Sequence, residues 1–177
     1  MKKASFSCRL FLSLFFILGV SSCCATPKIS AVAPKAYGTD PTIGVASSDA
    51  LADAIGTELI LYAFKVIERS NLYSLIEEQV LGQTGVLREK ELIEAGKILN
   101  IDALVFVNAN WDNYNSGKVA SATVKVVDVQ NGQILASINY QNGSAGAAGS
   151  PADAAVKDSL VTSANRIGKE IAKGFGK

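Results

Sequence analysis

The alternating segments on either side of the tripeptide QNG place the strongest constraint on the fold. A two-residue Asn-Gly loop would place Lys125 opposite Ile138 and mix polar and apolar side chains on one face. A three-residue loop with a left-handed glycine pairs Val129 with Gln133 and Val124 with Ile138 instead. Only this second register separates the two kinds of side chain, so we predict a hairpin with one core face and one polar face.

Helical spacing flanks this hairpin on both sides. Leu51, Ile55 and Leu59 recur every four residues, which predicts a helix that begins near Asp49. The nearly continuous apolar run at 101–107 is typical of a central strand that is covered on both faces. A further stripe predicts a single C-terminal amphipathic helix after Ser150; its members are Val156, Leu160, Ala164, Ile167 and Ile171. The sequence therefore predicts an α/β (α+β) fold, a mixed β-sheet covered by helices.

The first 22 residues have the order of an export signal. Basic residues precede an apolar run from Leu10 to Val20, and the small residues Ser21 and Ser22 follow it. Eleven helical residues span about 16 Å, roughly half of the ~30 Å hydrocarbon core of a bilayer. We therefore predict a cleaved signal peptide over residues 1–22 rather than a permanent transmembrane helix.

The end of this segment carries a more specific motif. Val20-Ser21-Ser22-Cys23 resembles the lipobox of bacterial lipoproteins. The resemblance implies that Cys23 becomes the first residue of the mature chain and carries the lipid, palmitate included. Several acyl chains would then give stable membrane anchoring. The alternative is an ordinary signal peptide with incidental cysteines, and the role of Cys24 stays unexplained.

Prolines and glycines are frequent between the lipobox and the first predicted helix. We therefore expect a lipidated tether over residues 23–48, with a candidate first strand at 28–33. The remaining residues, 49–177, form the predicted domain.

Charge and composition narrow the classes of function. The chain contains 17 basic and 16 acidic residues, and removal of the three basic residues of the signal changes the net charge from +1 to −2. Such a balance gives no reason to expect a nucleic-acid partner. The chain has no histidine, which is the usual general base and the commonest metal ligand. We therefore expect no enzyme activity, no cofactor and no metal site.

One glycine-rich segment, residues 143–149, leaves two alternatives open. It precedes a predicted helix N-terminus, where anions can bind. It lacks the lysine that follows the glycines of a phosphate-binding loop, so a connector is the favoured interpretation.

Four segments together resemble the CsgG family: FKVIERSNLYSLIEEQ, QTGVL, AGKILNIDALV and VKVVDVQNGQILAS. The resemblance covers roughly residues 49–140. It implies a lipoprotein of the periplasm, anchored to the outer membrane. The best-known member forms the secretion pore for curli fibre subunits, and the related LpoB-type proteins activate a peptidoglycan synthase.

The sequence argues against a complete pore. Pore-forming members insert two hairpins per subunit, which need roughly 40 residues of alternating pattern. Only eleven residues, NANWDNYNSGK, separate Val107 from Val119. We therefore expect an accessory that acts by protein–protein contact in envelope assembly or curli-type secretion. The alternatives are an LpoB-like regulator and, less favoured, a small-ligand-binding protein or enzyme.

Two aromatic residues in that polar segment, Trp111 and Tyr114, have two interpretations. They fold back onto the domain, or they contact a protein partner, because exposed aromatic residues often anchor interfaces. The partner would be a periplasmic or outer-membrane protein, and a homo-oligomer is a further alternative.

Overall fold

The computed structural model describes residues 24–31, 40–79 and 89–177. The predicted signal peptide and Cys23 lie outside these residues. The strands, in chain order, are β1 (Cys24–Ala25), β2 (Lys28–Ala31), β3 (Thr42–Val45), β4 (Lys65–Ile67), β5 (Ala103–Trp111), β6 (Val119–Asp128), β7 (Ile134–Gln141) and β8 (Ser144–Ala145). The helices are α1 (Ala50–Leu61), α2 (Arg69–Gln79), α3 (Glu89–Ile98), α4 (Pro151–Val156) and α5 (Leu160–Gly174). None of the described helices is both long and apolar enough to cross a membrane.

A mixed six-stranded sheet organises the domain, with the strand order β2-β7-β6-β5-β3-β4. Strand β3 runs parallel to both of its neighbours, whereas β5, β6, β7 and β2 pair antiparallel. A separate two-stranded pair joins β1 to β8. The predicted fold class, a mixed sheet covered by helices, is confirmed.

Helices cover the two faces of this sheet unequally. The larger core lies between the sheet and helices α1 and α5, and it includes Ile55, Val124, Ile138 and Ile167. The smaller core lies on the opposite face, where α2 and α3 pack over Leu104. The polar face of the β6–β7 hairpin extends beyond this second core, with the exposed Thr123 donating a hydrogen bond to Asn139.

The hairpin adopts the register that the alternation predicts. Val124 lies opposite Ile138, and Lys125 lies opposite Ser137. The left-handed conformation expected at Gly132 is also present, with φ of 70°.

The predicted pairing of Val129 with Gln133 is wrong. The amide of Asp128 donates to the Gln133 carbonyl instead, at 2.8 Å, and the amide of Val129 donates to Asp102 O at 3.1 Å. Val129 is thereby buried in the smaller core. A bulge between Val126 and Val127 absorbs the one-residue difference.

The C-terminal segment contains two helices rather than the single predicted one. Ser150 caps α4 as expected, but this helix ends at Val156, and Lys157 adopts an extended backbone. Ser159 then caps α5 by accepting a hydrogen bond from the amide of Thr162. The apolar stripe runs through the break, because the spacing of side chains does not report a local change of backbone direction.

The N-terminal segment takes part in the fold. Cys24–Ala25 and Lys28–Ala31 form β1 and β2, and Thr42–Val45 forms β3 between β4 and β5. Ile43 of β3 is fully buried. The structured part of the chain therefore includes residues that the sequence assigned to a tether.

Candidate functional site

The hairpin tip, defined as residues 112–118 between β5 and β6, holds Tyr114, and Trp111 precedes it as the last residue of β5. Strand β5 continues past the expected end at Val107 and finishes at Trp111. Trp111 is 38% exposed and Tyr114 is 70% exposed. The structure therefore brings both residues to the same short segment.

Asp112 shapes the tip from within. One of its carboxylate oxygens accepts hydrogen bonds from the amides of Tyr114 and Asn115, at 2.8 and 2.7 Å. Its side chain is nearly buried, and the other oxygen contacts the ammonium of Lys157. The tip is thus a turn around a carboxylate that is fixed to the start of the C-terminal segment.

Lys157 joins two carboxylates under the tip. Its ammonium contacts Asp112 and lies 2.7 Å from Asp153. The side chains of Lys157, Asp112 and Asp153 are 10%, 5% and 3% exposed. The hydrogen bond from Lys157 lowers the pKa of each aspartate from 3.8 to about 2. Burial alone would lower the pKa of Lys157, but its hydrogen bonds to the two carboxylates raise that pKa above 10.5.

Asp153 also forms hydrogen bonds to the loop that precedes α4. Its carboxylate accepts hydrogen bonds from the amides of Ala145 and Gly149, at 3.3 and 3.0 Å, and from Asn115 Nδ2 at 3.2 Å. The glycine-rich segment therefore binds an anion, but the anion is a side chain of the same chain. This arrangement favours the connector over a phosphate-binding loop.

A second lysine fastens the end of the tip. Lys118 Nζ donates to the carbonyl oxygens of Ala154 and Lys157, at 2.6 and 3.1 Å. The tip and helix α4 are therefore joined at both ends of the tip, by an ion network and by bonds to backbone. This arrangement presents the aromatic pair on a rigid support.

The start of the described chain lies beside this support. Cys24 is opposite Ala145 in the β1–β8 pair, and Ala25 is opposite Ser144. Cys23 lies outside the described residues, so its lipidation stays a prediction. The contact role of Trp111 and Tyr114 also stays a prediction.

The sequence signals identified the aromatic pair but missed the network that supports it. Asp112 and Lys157 are 45 positions apart, and neither belongs to a recognisable motif. A local signal exists only at the helix start after Ser150, where Asp153 is an acid in the first turn and favours the helix N-terminus. The same carboxylate in fact connects three segments.

The family comparison covers the N-terminal half of the domain. Residues 24–109 match the model of the curli production assembly/transport component CsgG. The resemblance expected from the sequence is thereby confirmed.

Solved structures from two organisms are similar to this chain. A single-substitution variant of the PelC dodecamer from Paraburkholderia phytofirmans has a TM-score of 0.54 at 12% identity, covering 86% of this chain and 100% of that chain. A second PelC dodecamer from the same organism has a TM-score of 0.48 at 12% identity, covering 79% and 96%. Lipoprotein GNA1162 from Neisseria meningitidis has a TM-score of 0.40 at 20% identity, covering 62% and 81%. The similarity to the PelC variant shows a shared fold. A search of curated proteins finds no match.

The CsgG match ends at Ala109, two residues before Trp111. The hairpin tip, β6, β7 and both C-terminal helices lie beyond it. The candidate site therefore belongs to the part of this chain for which the family match gives no guidance.

Proposed function

We propose that this chain is a lipid-anchored periplasmic protein of the CsgG family that acts by protein–protein contact in envelope assembly or secretion. The observation that carries the proposal is the CsgG match, which begins at residue 24, immediately after the predicted lipidated Cys23. An anchored binding protein, rather than an enzyme, fits this combination.

The chemistry of the candidate site supports a binding role. Asp112, Asp153 and Lys157 are charged, nearly buried and bonded to one another. Their pKa values favour the charged forms at neutral pH, because each group stabilises the charge of the other. Groups held in this way stabilise a surface, whereas general acid–base catalysis needs a pKa near the working pH.

Self-association is part of the proposal. The similar PelC structure is a dodecamer, and we carry this property to the present chain only as a proposal. Purified acylated chain should then elute as an assembly of defined mass in light scattering coupled to size exclusion. A monomer at all concentrations would contradict this part of the proposal.

The proposed role is tested by purifying the tagged full-length chain from membranes after cross-linking in its own host. We expect outer-membrane secretion components to be enriched over a control that uses an unrelated tagged lipoprotein. Enrichment of a peptidoglycan synthase, together with stimulation of its activity by the purified chain, would favour the LpoB-like alternative. Mass spectrometry of the mature N-terminus tests the anchor directly, since an unacylated Cys23 contradicts it.

A further inference from the structure

The hairpin tip and the start of the described chain are connected through a short series of contacts. Cys24 pairs with Ala145, whose amide donates to Asp153 Oδ1. The other oxygen of Asp153 accepts from Asn115 in the tip. On the far side of the loop, a Cβ built on Gly149 would lie 3.0 Å from the Cβ of Tyr114. Cys24, the residue after the predicted lipid attachment point, and the exposed aromatic pair therefore lie at the same end of the described domain.

The surface at this end is formed by small, uncharged residues. Between positions 141 and 156 the only charged residue is Asp153, which is 2% exposed. The charged side chains of Asp112 and Lys157 are also nearly buried, and the ammonium of Lys118 is bonded to two carbonyls. Several exposed residues here are uncharged, namely Ala25, Thr26, Tyr114, Ala147 and Ala148, and the exposed Lys28, which pairs with Gln141, borders them. We call this surface, together with Trp111, the anchor face.

The N-terminal strand leaves almost no free chain between the lipid and the anchor face. Strand β1 begins at Cys24, one residue after the predicted attachment point. One residue spans at most about 3.6 Å, so an acylated Cys23 would hold the anchor face close to the lipid headgroups. A flexible tether without strands would have let the domain move away from the membrane.

We propose that the anchor face lies flat on the membrane leaflet that holds the acyl chains, with Trp111 and Tyr114 at the lipid–water interface. Tryptophan and tyrosine favour this zone because each has an apolar ring and a polar group. An exposed carboxylate would be repelled by anionic lipids, and this face has its carboxylates inside. The proposal rests on the lipid anchor of the proposed function and adds the orientation of the domain.

In this orientation the anchor face is covered by lipid, so protein partners bind the domain on its other surfaces. A protein covering the same aromatic pair, including a second copy of this chain, is the competing explanation, and the experiment below separates the two.

The single tryptophan of the chain makes the test specific to one position. The acylated chain is purified from membranes and reconstituted in vesicles of phosphatidylethanolamine and phosphatidylglycerol. We expect lipids that are brominated on their acyl chains to quench the emission of Trp111, and aqueous acrylamide to quench it weakly. Strong acrylamide quenching without bromolipid quenching overturns the proposal, and so does protection from both quenchers, which would show a protein cover.

The matched control moves the reporter to the opposite end of the sheet. It carries Trp111→Phe together with Ile60→Trp, at a site on α1 that is 59% exposed and apolar in the native chain. Acrylamide should quench this tryptophan, and bromolipid should not. Equal bromolipid quenching at positions 60 and 111 would overturn the proposed orientation.

Mass spectrometry of the same sample separates failure of the anchor from failure of the orientation. An unacylated Cys23 would contradict both the proposed function and the anchor face. An acylated Cys23 with Trp111 open to acrylamide would contradict the anchor face alone. The circular dichroism melt of the control variant should match that of the native chain, which confirms that the moved tryptophan reports on the same fold.

Discussion

The two ends of the sheet differ in where their charged side chains lie. At the anchor face, Asp112, Asp153 and Lys157 are paired beneath a neutral surface. At the opposite end, Phe64 and Phe175 pack edge to face with centroids 5.5 Å apart, and Lys177 lies over the Phe64 ring at 4.6 Å. One end of the fold is therefore stabilised by an internal ion network, and the other end is stabilised by aromatic packing beneath a lysine.

This difference has a physical cause. The residues at 143–149 are mostly glycine, alanine and serine, which bury little apolar area, so hydrogen bonds to Asp153 must position that loop. The opposite end has large aromatic side chains, Phe64 and Phe175, which are both buried. We therefore expect substitutions of charged residues to have much larger effects at the anchor face than at the opposite end.

The largest effect is expected for Lys157→Met. Two neighbouring carboxylates would keep their buried positions without a counter-charge, and breaking such a pair costs about 3 kcal/mol. For a domain of this size that loss corresponds to a decrease of about 6–12 °C in the melting temperature. Thermal unfolding followed by circular dichroism at neutral pH measures this decrease.

The matched control is Lys97→Met, which removes an exposed partner of Glu94 on α3. Exposed pairs contribute little, so its melting temperature should change by at most about 2 °C.

The pH dependence of stability tests the role of the ion pairs a second time. The pKa values of Asp112 and Asp153 are lowered to about 2, so the network stabilises the native chain above pH 3.8 and loses that contribution as the pH falls through about 2. The difference between the native chain and Lys157→Met should therefore shrink in acid, and a difference that stays constant with pH would contradict the role of the ion pairs.

Local patterns were sufficient to predict the elements near the hairpin. Alternation fixes which strand residues face the core, and the pairing of Val124 with Ile138 follows from it. The pairing at the loop could not be predicted from the alternation, because the amide of Val129 donates to the carbonyl of Asp102, a residue from a distant segment. Contacts of this kind cannot be read from spacing.

The candidate site shows the same limit more strongly. Trp111 and Tyr114 could be selected from sequence because large aromatic residues stand out in a polar segment. The ion network could not, since Asp112 and Lys157 meet only after the sheet and α4 are in place. The break between α4 and α5, which the apolar stripe concealed, places Lys157 in that network.

A smaller effect is expected for Gly149→Ala, which tests whether the glycine-rich loop is fitted against the tip. Gly149 has φ of 77°, and an added Cβ would lie 3.0 Å from the Cβ of Tyr114. We expect a loss of about 2 kcal/mol, from the left-handed backbone and from the close contact together. Denaturant unfolding measures this loss.

The matched control is Gly132→Ala, because Gly132 has φ of 70° and open space around its Cβ position. That substitution should lower the free energy of unfolding only by the cost of a left-handed backbone at alanine, about 1 kcal/mol. Equal losses for the two variants would mean that the loop is not held against Tyr114, and the rigid support assigned to the anchor face would be wrong.

The smallest effect is expected at the opposite end, for Lys177→Met. Lys177 Nζ donates to the carbonyl of Ala63 at 2.6 Å and lies over the Phe64 ring, but no buried carboxylate depends on it. An exposed cation–π contact contributes about 0.5–1 kcal/mol, and the methionine side chain can still cover the ring. The melting temperature should therefore fall by about 1–4 °C, less than for Lys157→Met under the same conditions. If the two lysine variants lost equal stability, both ends would depend on charge to the same degree, and the contrast between internal and external charge would fail.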